Sequence, residues 1–300
     1  MRVVTLLPSA TEIVCGLGLQ DQLVGVSHSC NFPAAINQLP AVTSTHVPFT
    51  ASSETIDNYV REHLSGHAAL YDLDVAALES LQPDVIVSQA LCDVCAVATG
   101  DVTAALTELS SKPTLIDLTP NTLDDVFDDI RRVGETLDLP DRATALVADL
   151  KARCERLAST RIDRRPRVAF LEWLIPPFNG GHWNPELVRL AGGVDLLGAH
   201  GQPSSSQDWE QIADADPDLI FIACCGFRVE RALEDVEQLQ DHPVWQSLRA
   251  VRDGRVFVTD GNAYFASPGP RLIDGLEVLA HALHPTIHPR PDAAPLVRIT

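Results

Sequence analysis

Residues 78–92 read LESLQPDVIVSQALC, and residues 212–226 read IADADPDLIFIACCG. Each stretch runs from a helix end through a Pro-Asp turn into an apolar strand and then to cysteines. Proline suits the turn because it cannot continue the helix before it. The apolar runs carry no polar alternation, which is the pattern of a strand buried on both faces, as in a parallel sheet.

A second pair of stretches echoes in the same way. VVTLLPSATEIVCGLG covers residues 3–18, and VAFLEWLIPPFNGGHWNPELVRLAGG covers 168–193. Each predicts a strand, a loop carrying proline, and a helix that ends in glycine. In the first, Ser9 and Thr11 are candidate helix N-caps, with Glu12 in the first turn. Further β-branched runs at 23–26, 114–118 and 256–259 alternate with helical patterns. That alternation means βαβ units and parallel sheets covered by helices.

Between the two halves the pattern LDDVFDDIRRVGETL…ATALVADLKARCERLAS has helical period and no strand signal. Pro140 and Asp141 either break it into two helices or kink one. The expected fold is therefore α/β, with two Rossmann-like lobes joined by a long connecting helix. The lobes are residues 1–120 and 165–300, and the helical connector is 121–164. A cleft between lobes is a default ligand site.

Composition narrows the function. Of the 300 residues 45% are hydrophobic, enough for a sizeable core, and the net charge is −19. Such a chain has no basic face for nucleic acid or an anionic membrane. No window is long and apolar enough to span a bilayer. The first residues, Arg2 to Leu7, already read as a strand and carry no leader pattern. If Met1 is the native start, the expected compartment is the cytoplasm; if a leader has been removed, it is the periplasm. Seven cysteines, an odd count, fit free thiols in a reducing compartment.

Several stretches together resemble one family. They are Pro8-Ser9-Ala10-Thr11-Glu12 after the first strand, Leu23-Val24-Gly25-Val26-Ser27 as the second, and Leu81-Gln82-Pro83-Asp84-Val85-Ile86-Val87. Pro176-Pro177-Phe178 with Gly180-Gly181, and Ala266-Ser267-Pro268 before Arg271-Leu272, complete the set. In order and spacing the chain resembles the class III substrate-binding proteins of ABC importers, the cobalamin, haem and siderophore type. It is most similar to the cobalamin-binding members, and the segment 44–74 with the later CDVC resembles a branch without signal peptides.

The resemblance implies a non-catalytic binder of cobalamin, a related corrinoid or a similar metal chelate. A flat ligand of that kind wants aromatic faces and a few polar contacts. Phe178, Tyr264 and Phe265 fall at matching loops, with Trp173 and Trp183 near them; Ser29 and Tyr71 join the set from the first lobe. An ABC permease is the implied partner. Glu210 falls at the docking acid of the second lobe, and the first-lobe counterpart falls at Ala76, with Asp74 the nearest acid.

The cysteines carry an alternative. Cys92 and Cys95 follow one strand of the repeat, and Cys224 and Cys225 follow the other. Ligands of α/β sheets bind beyond the carboxyl ends of strands, so all four sulfurs are candidates for a soft-metal site for zinc or copper. Histidines can join such a set, with His28 the first choice and His182 a second. A redox pair and a thiol contact to a chelate are further readings of Cys92 and Cys95. Small buried residues are the plain one. Cys15 and Cys154 lie in helical patterns, and Cys30 follows the second strand. Glu172 sits at a strand end beside Trp173, a cleft carboxylate or a paired one. The tail HALHPTIHPRPDAAP, with His281, His284 and His288, reads as proline-rich and loosely ordered, with a His-rich metal tract the alternative. No nucleophile–base arrangement, phosphate cradle or zinc-protease motif is present, so an enzyme is not expected.

Overall fold

The computed structural model describes residues 1–65, 69–89, 99–292 and 294–299, with backbone alone for Thr99 and Asp101. Cys92 and Cys95 lie outside the described residues. The chain divides into two compact units, Met1–Pro120 with Asp124–Val147, and Asn121–Leu123 with Ala148–Thr300.

The first unit holds strands β1 (Val3–Thr5), β2 (Leu23–Gly25), β3 (Thr43–Thr45), β4 (Tyr71–Leu73), β5 (Val85–Gln89) and β6 (Thr114–Leu118). Its helices are α1 (Pro8–Gly16), α2 (Ser53–Ser65), α3 (Val75–Leu81) and α4 (Thr99–Glu108). Strands β2-β1-β5-β6 form one sheet, paired in parallel throughout. Val3, Val4, Ile86 and Val87 are fully enclosed, as a strand covered on both faces requires. Strands β3 and β4 form a separate antiparallel pair.

The connector consists of two helices, α5 (Leu123–Thr136) and α6 (Pro140–Ala158). Asp138, at φ 57°, turns the chain between them. Helix α6 contributes to both units, which divide it after Val147.

The second unit holds β7 (Arg167–Leu174), β8 (Pro177–Asn179), β9 (Val194–Asp195), β10 (Leu219–Ile222), β11 (Val256–Thr259) and β12 (Leu296–Ile299). Its helices are α7 (Asn184–Leu190), α8 (Trp209–Asp214), α9 (Val229–Leu239), α10 (Pro243–Ser247), α11 (Arg249–Arg252), α12 (Gly261–Tyr264) and α13 (Leu272–Leu283). The sheet order is β12-β11-β10-β7-β8, with β9 also on β7. Strands β7, β10 and β11 run parallel, and β8 and β12 run against them. Phe170, Phe221 and Phe265 pack at 5.4–5.5 Å between ring centres in its core.

The repeat read from sequence extends to atomic detail. After α3 and after α8 the chain turns at a left-handed residue, Gln82 at φ 45° and Asp216 at φ 43°. Proline and aspartate follow in both. Asp84 accepts the backbone N–H of Arg2 at 2.7 Å, and Asp218 accepts that of Arg167 at 2.9 Å. Each aspartate thereby ties the start of its own strand, β5 or β10, to the start of β1 or β7.

Two expectations fail locally. Ser9 and Thr11 do not cap α1, which begins at Pro8 after the extended Leu7 and has no side-chain cap. Proline at the first helical position carries the fixed φ a helix start needs, so the helix starts ahead of both. The tail is not loose, because residues 296–299 add an antiparallel strand to β11. His284 and His288, ahead of that strand in sequence, are buried, and Thr259 donates to the Pro295 carbonyl at 2.6 Å. Among the described residues, no helix is long and apolar enough to cross a membrane.

Candidate functional site

In the first unit the chain leaving β2 builds a small polar cluster. Thr43, at the start of β3, sits between three groups. Its hydroxyl donates to Ser27 Oγ at 3.0 Å and accepts the His28 backbone N–H at 3.1 Å. The His28 Nδ1 lies 2.8 Å from the same oxygen. A hydroxyl has one proton, and Ser27 takes it, so Nδ1 must carry the hydrogen of that contact. The lone pair of the imidazole is left on Nε2. Partial burial lowers the His28 pKa and so favours the neutral ring, although the residue as a whole is exposed. The ring of Tyr71, itself buried, lies 5.8 Å from it. Ser29 is half-buried and pairs with Ser27 Oγ at 3.0 Å. A neutral, exposed imidazole with a free nitrogen lone pair is a donor for a metal centre.

The nearby thiols have the opposite character. Thr11 Oγ1 donates to Leu7 O at 3.3 Å and meets Cys30 Sγ at 3.0 Å. The same hydroxyl meets Thr5 Oγ1 at 2.6 Å, and its bond to Cys30 favours the thiolate. Burial pushes the Cys30 thiol up to about 11, against the pull of that Thr11 bond. Burial, with Glu12 and Cys30 nearby, pushes Cys15 up to about 11 as well. Neither supplies a thiolate near neutrality.

In the second unit the carboxyl end of β7 turns back as β8. Trp173 and Phe178 face each other across this hairpin, and both are half-buried. The Trp173 indole N–H donates to Ile175 O at 3.1 Å. Its ring packs against Phe227 with centroids 4.7 Å apart. The pair presents an aromatic surface, anchored from below, at the carboxyl end of a parallel sheet.

Glu172, beside Trp173, secures the following loop. Its Oε2 accepts the Gly181 N–H at 3.1 Å and the Asn184 side-chain amide at 3.3 Å. Burial pushes the Glu172 pKa up, against those bonds. Gly181 is required here, since a Cβ would stand 2.3 Å from the Ser204 nitrogen. His182 next to it adopts φ 53° and stacks on Trp183 at 5.5 Å. Burial lowers its pKa, and its Nδ1 is enclosed without a hydrogen-bond partner.

The remaining aromatic candidates belong to the packing of this unit. Trp183 is 4% exposed and donates through Nε1 to Phe265 O at 2.9 Å. Phe265 is 1% exposed within the phenylalanine core, and Tyr264 is buried with Arg271 over its ring at 5.5 Å. Sequence placed them in loops but not the loops against the sheet. Two functional candidates escaped that reading: Phe227, which supports Trp173, and Thr43, which sets the tautomer of His28. Phe227 follows the cysteines of the repeat at Gly226, and that position is the only signal it offered. Thr43 offered none.

Of the soft-metal candidates, Cys92 and Cys95 lie outside the described residues. Cys224 is fully enclosed, and burial pushes its thiol well up. Cys225 is half-buried, its N–H held by the Glu172 carbonyl at 2.9 Å. Among the described residues, no three of the His, Cys, Asp and Glu side chains form a group that could hold a metal ion. A zinc or copper site therefore has no support from Cys224, Cys225 or His28. The docking candidate Glu210 is exposed on the first turn of α8. Asp74, its nearest acid in the first unit, is committed as the N-cap of α3, accepting Ala77 N–H at 2.8 Å.

A family model described as periplasmic binding protein matches residues 3–263. A vitamin B12-binding protein of Vibrio cholerae is 25% identical over 281 residues, covering 92% of this chain and 86% of that one. An uncharacterised ABC transporter substrate-binding lipoprotein of Bacillus subtilis is 22% identical over 295 residues, covering 95% and 80%. Among solved structures, a periplasmic haem-binding protein from Pseudomonas aeruginosa superposes with TM-score 0.74 at 22% identity, covering 100% of this chain and 98% of that one.

Proposed function

This chain belongs to the periplasmic binding protein family, and from that premise we propose that it captures a flat metal chelate, a corrinoid first, for an ABC importer. The family is one of binding proteins and not of enzymes. The observation that carries the ligand class is the half-buried Trp173–Phe178 pair at the carboxyl end of the second sheet. Such a pair offers apolar, polarisable faces to a macrocycle. The relatives support the same class, since one is named for vitamin B12 and a structural neighbour for haem. Both ligands are planar macrocycles around a metal. In the first unit, His28 Nε2 offers a nitrogen donor of the kind a metal centre accepts. Glu210 is the proposed contact to a permease.

The compartment follows the family. The relatives carry periplasmic or lipoprotein descriptions, which favours a location outside the cytoplasmic membrane. The cytoplasmic expectation, drawn from the first residues, gives way to it.

The test is a titration of reduced, metal-stripped protein with hydroxocobalamin and, in parallel, with hemin and zinc. Saturable binding of hydroxocobalamin, read from the corrin bands and a raised unfolding temperature, supports the proposal. Saturation by hemin alone moves the ligand to haem. Stabilisation by zinc alone sinks the macrocycle reading.

A further inference from the structure

Behind Trp173 lies a charged pair that stability alone does not explain. Helix α9 places Arg231 and Asp235 one turn apart, on one face. Arg231 Nη1 bonds Asp235 Oδ1 at 2.8 Å, and the Asp235 side chain is fully enclosed. Arg231 Nε lies 3.6 Å from Glu234 Oε2. Replacing a buried ion pair by apolar groups of the same volume is often neutral or stabilising. What an apolar pair would not provide is a fixed, flat cation.

That cation has a specific neighbour. The Arg231 guanidinium carbon stands 4.4 Å from the centre of the Phe227 ring. Phe227 is 3% exposed, and its ring is the one packed on the Trp173 indole at 4.7 Å. The indole edge is pinned by its bond to Ile175 O. Four groups thus form a stack: Asp235 orients the guanidinium, the guanidinium covers Phe227, and Phe227 supports an indole with surface left for solvent.

We infer that Arg231 is a positioning residue, which touches no ligand and holds Trp173, through Phe227, as a preorganised platform for a flat ligand. The inference rests on the chelate-binding reading above. Its physical basis is that a side chain already fixed in its bound orientation loses little rotamer freedom on binding. A guanidinium stacked on an aromatic face is favourable and directional in a way an ammonium is not.

The experiment incorporates 5-fluorotryptophan, which gives one ¹⁹F resonance for each of the four tryptophans. The Trp173 line is assigned with Trp173→Phe. Arg231→Met alone would strip the buried Asp235 of its cation at 2.8 Å, so the main variant is Arg231→Met/Asp235→Asn, which removes both charges. Arg231→Lys is the conservative control, keeping a cation for Asp235 without the flat face. In the double variant the Trp173 line should shift and broaden while the other three stay put. Hydroxocobalamin should bind about five- to tenfold more weakly, and Arg231→Lys should fall between. An unmoved Trp173 line overturns the inference, whatever the affinity. A moved line with unchanged affinity also overturns it, leaving a purely structural stack. Failure of the wild-type protein to bind either hydroxocobalamin or hemin is a separate outcome: it sinks the chelate-binding reading, and the platform role with it.

Discussion

Thr43→Val removes one hydroxyl and keeps the shape of the side chain. Three contacts go with it, at 3.0 Å to Ser27, 3.1 Å from the His28 N–H and 2.8 Å from its Nδ1. They do not weigh equally. His28 is exposed, so water replaces the acceptor that its N–H groups lose. Thr43 and Ser27 are 6% and 3% exposed, and water does not reach their bond. Ser27 Oγ keeps Ser29 as a partner, which limits the loss to one buried hydrogen bond. The expected cost is about 1–1.5 kcal/mol, a fall in melting temperature of about 2–6 °C for a unit of this size. The chemical effect is larger. Without Thr43 nothing commits the proton to Nδ1, and the population with a free Nε2 falls. Imidazole ¹⁵N spectra of selectively labelled protein read the tautomer directly, and thermal unfolding reads the stability. Thr43→Ser, which restores the hydroxyl, should recover the tautomer. The reasoning is refuted if Thr43→Val leaves His28 with the same Nδ1-protonated signature.

Other outcomes follow from the same geometry. Trp173→Leu should weaken hydroxocobalamin binding about tenfold, since it removes a stacking face of about 0.5–1.5 kcal/mol along with apolar contact; an unchanged titration curve argues against the aromatic platform. Gly181→Ala should destabilise by about 1–3 kcal/mol, because its Cβ would meet backbone at 2.3 Å; a urea midpoint equal to wild type would show that the loop yields. Burial lowers the pKa of His284 and of His288 below 6.5. The unfolded chain then binds more protons, so their contribution is complete above pH 6.5 and is lost as pH falls below it. Replacing His284 with Gln should flatten the acid side of a pH–stability curve, and an equally steep curve would remove His284 from the account. Asp195 has the opposite sign, because burial pushes it up to about 6 from 3.8. Its contribution is present below pH 3.8 and lost as pH rises through about 6. Asp195→Asn should therefore gain about 1–2 kcal/mol at pH 7.5 relative to its effect at pH 4, after allowance for partial exposure. A pH-independent effect would contradict that sign.

Legibility differed sharply between the fold and the site. The helix, Pro-Asp turn and buried strand around residues 78–89 and 212–222 were all written locally. Their turn geometry depends on residues a few positions apart, and so does the β-branched run that follows. The connector was legible as helical, but its sequence left a break and a kink at Pro140 equally open, and the structure shows two helices in place of the long one expected. The aromatic candidates were legible as residues in loops but not as surfaces. Trp183 and Phe265 are joined by a hydrogen bond across 82 positions of sequence, and no local pattern announces that such a pair will be enclosed while Trp173 and Phe178 are not. The tail misled for a similar reason, since its prolines spoke for disorder and its last residues paired with β11.

The sequence by itself determined an α/β chain with two echoing halves and its family, because periodicity and turn chemistry act over short range. Only the tertiary structure decided which side chains do what. It closed Cys224 into the core, committed Asp74 to a helix cap, directed the His28 lone pair to Nε2 through Thr43, and placed Arg231 behind Phe227 and Trp173. Each of those outcomes depends on contacts made when β-strands and helices distant along the chain pack together, and burial and proton placement are properties of that packing.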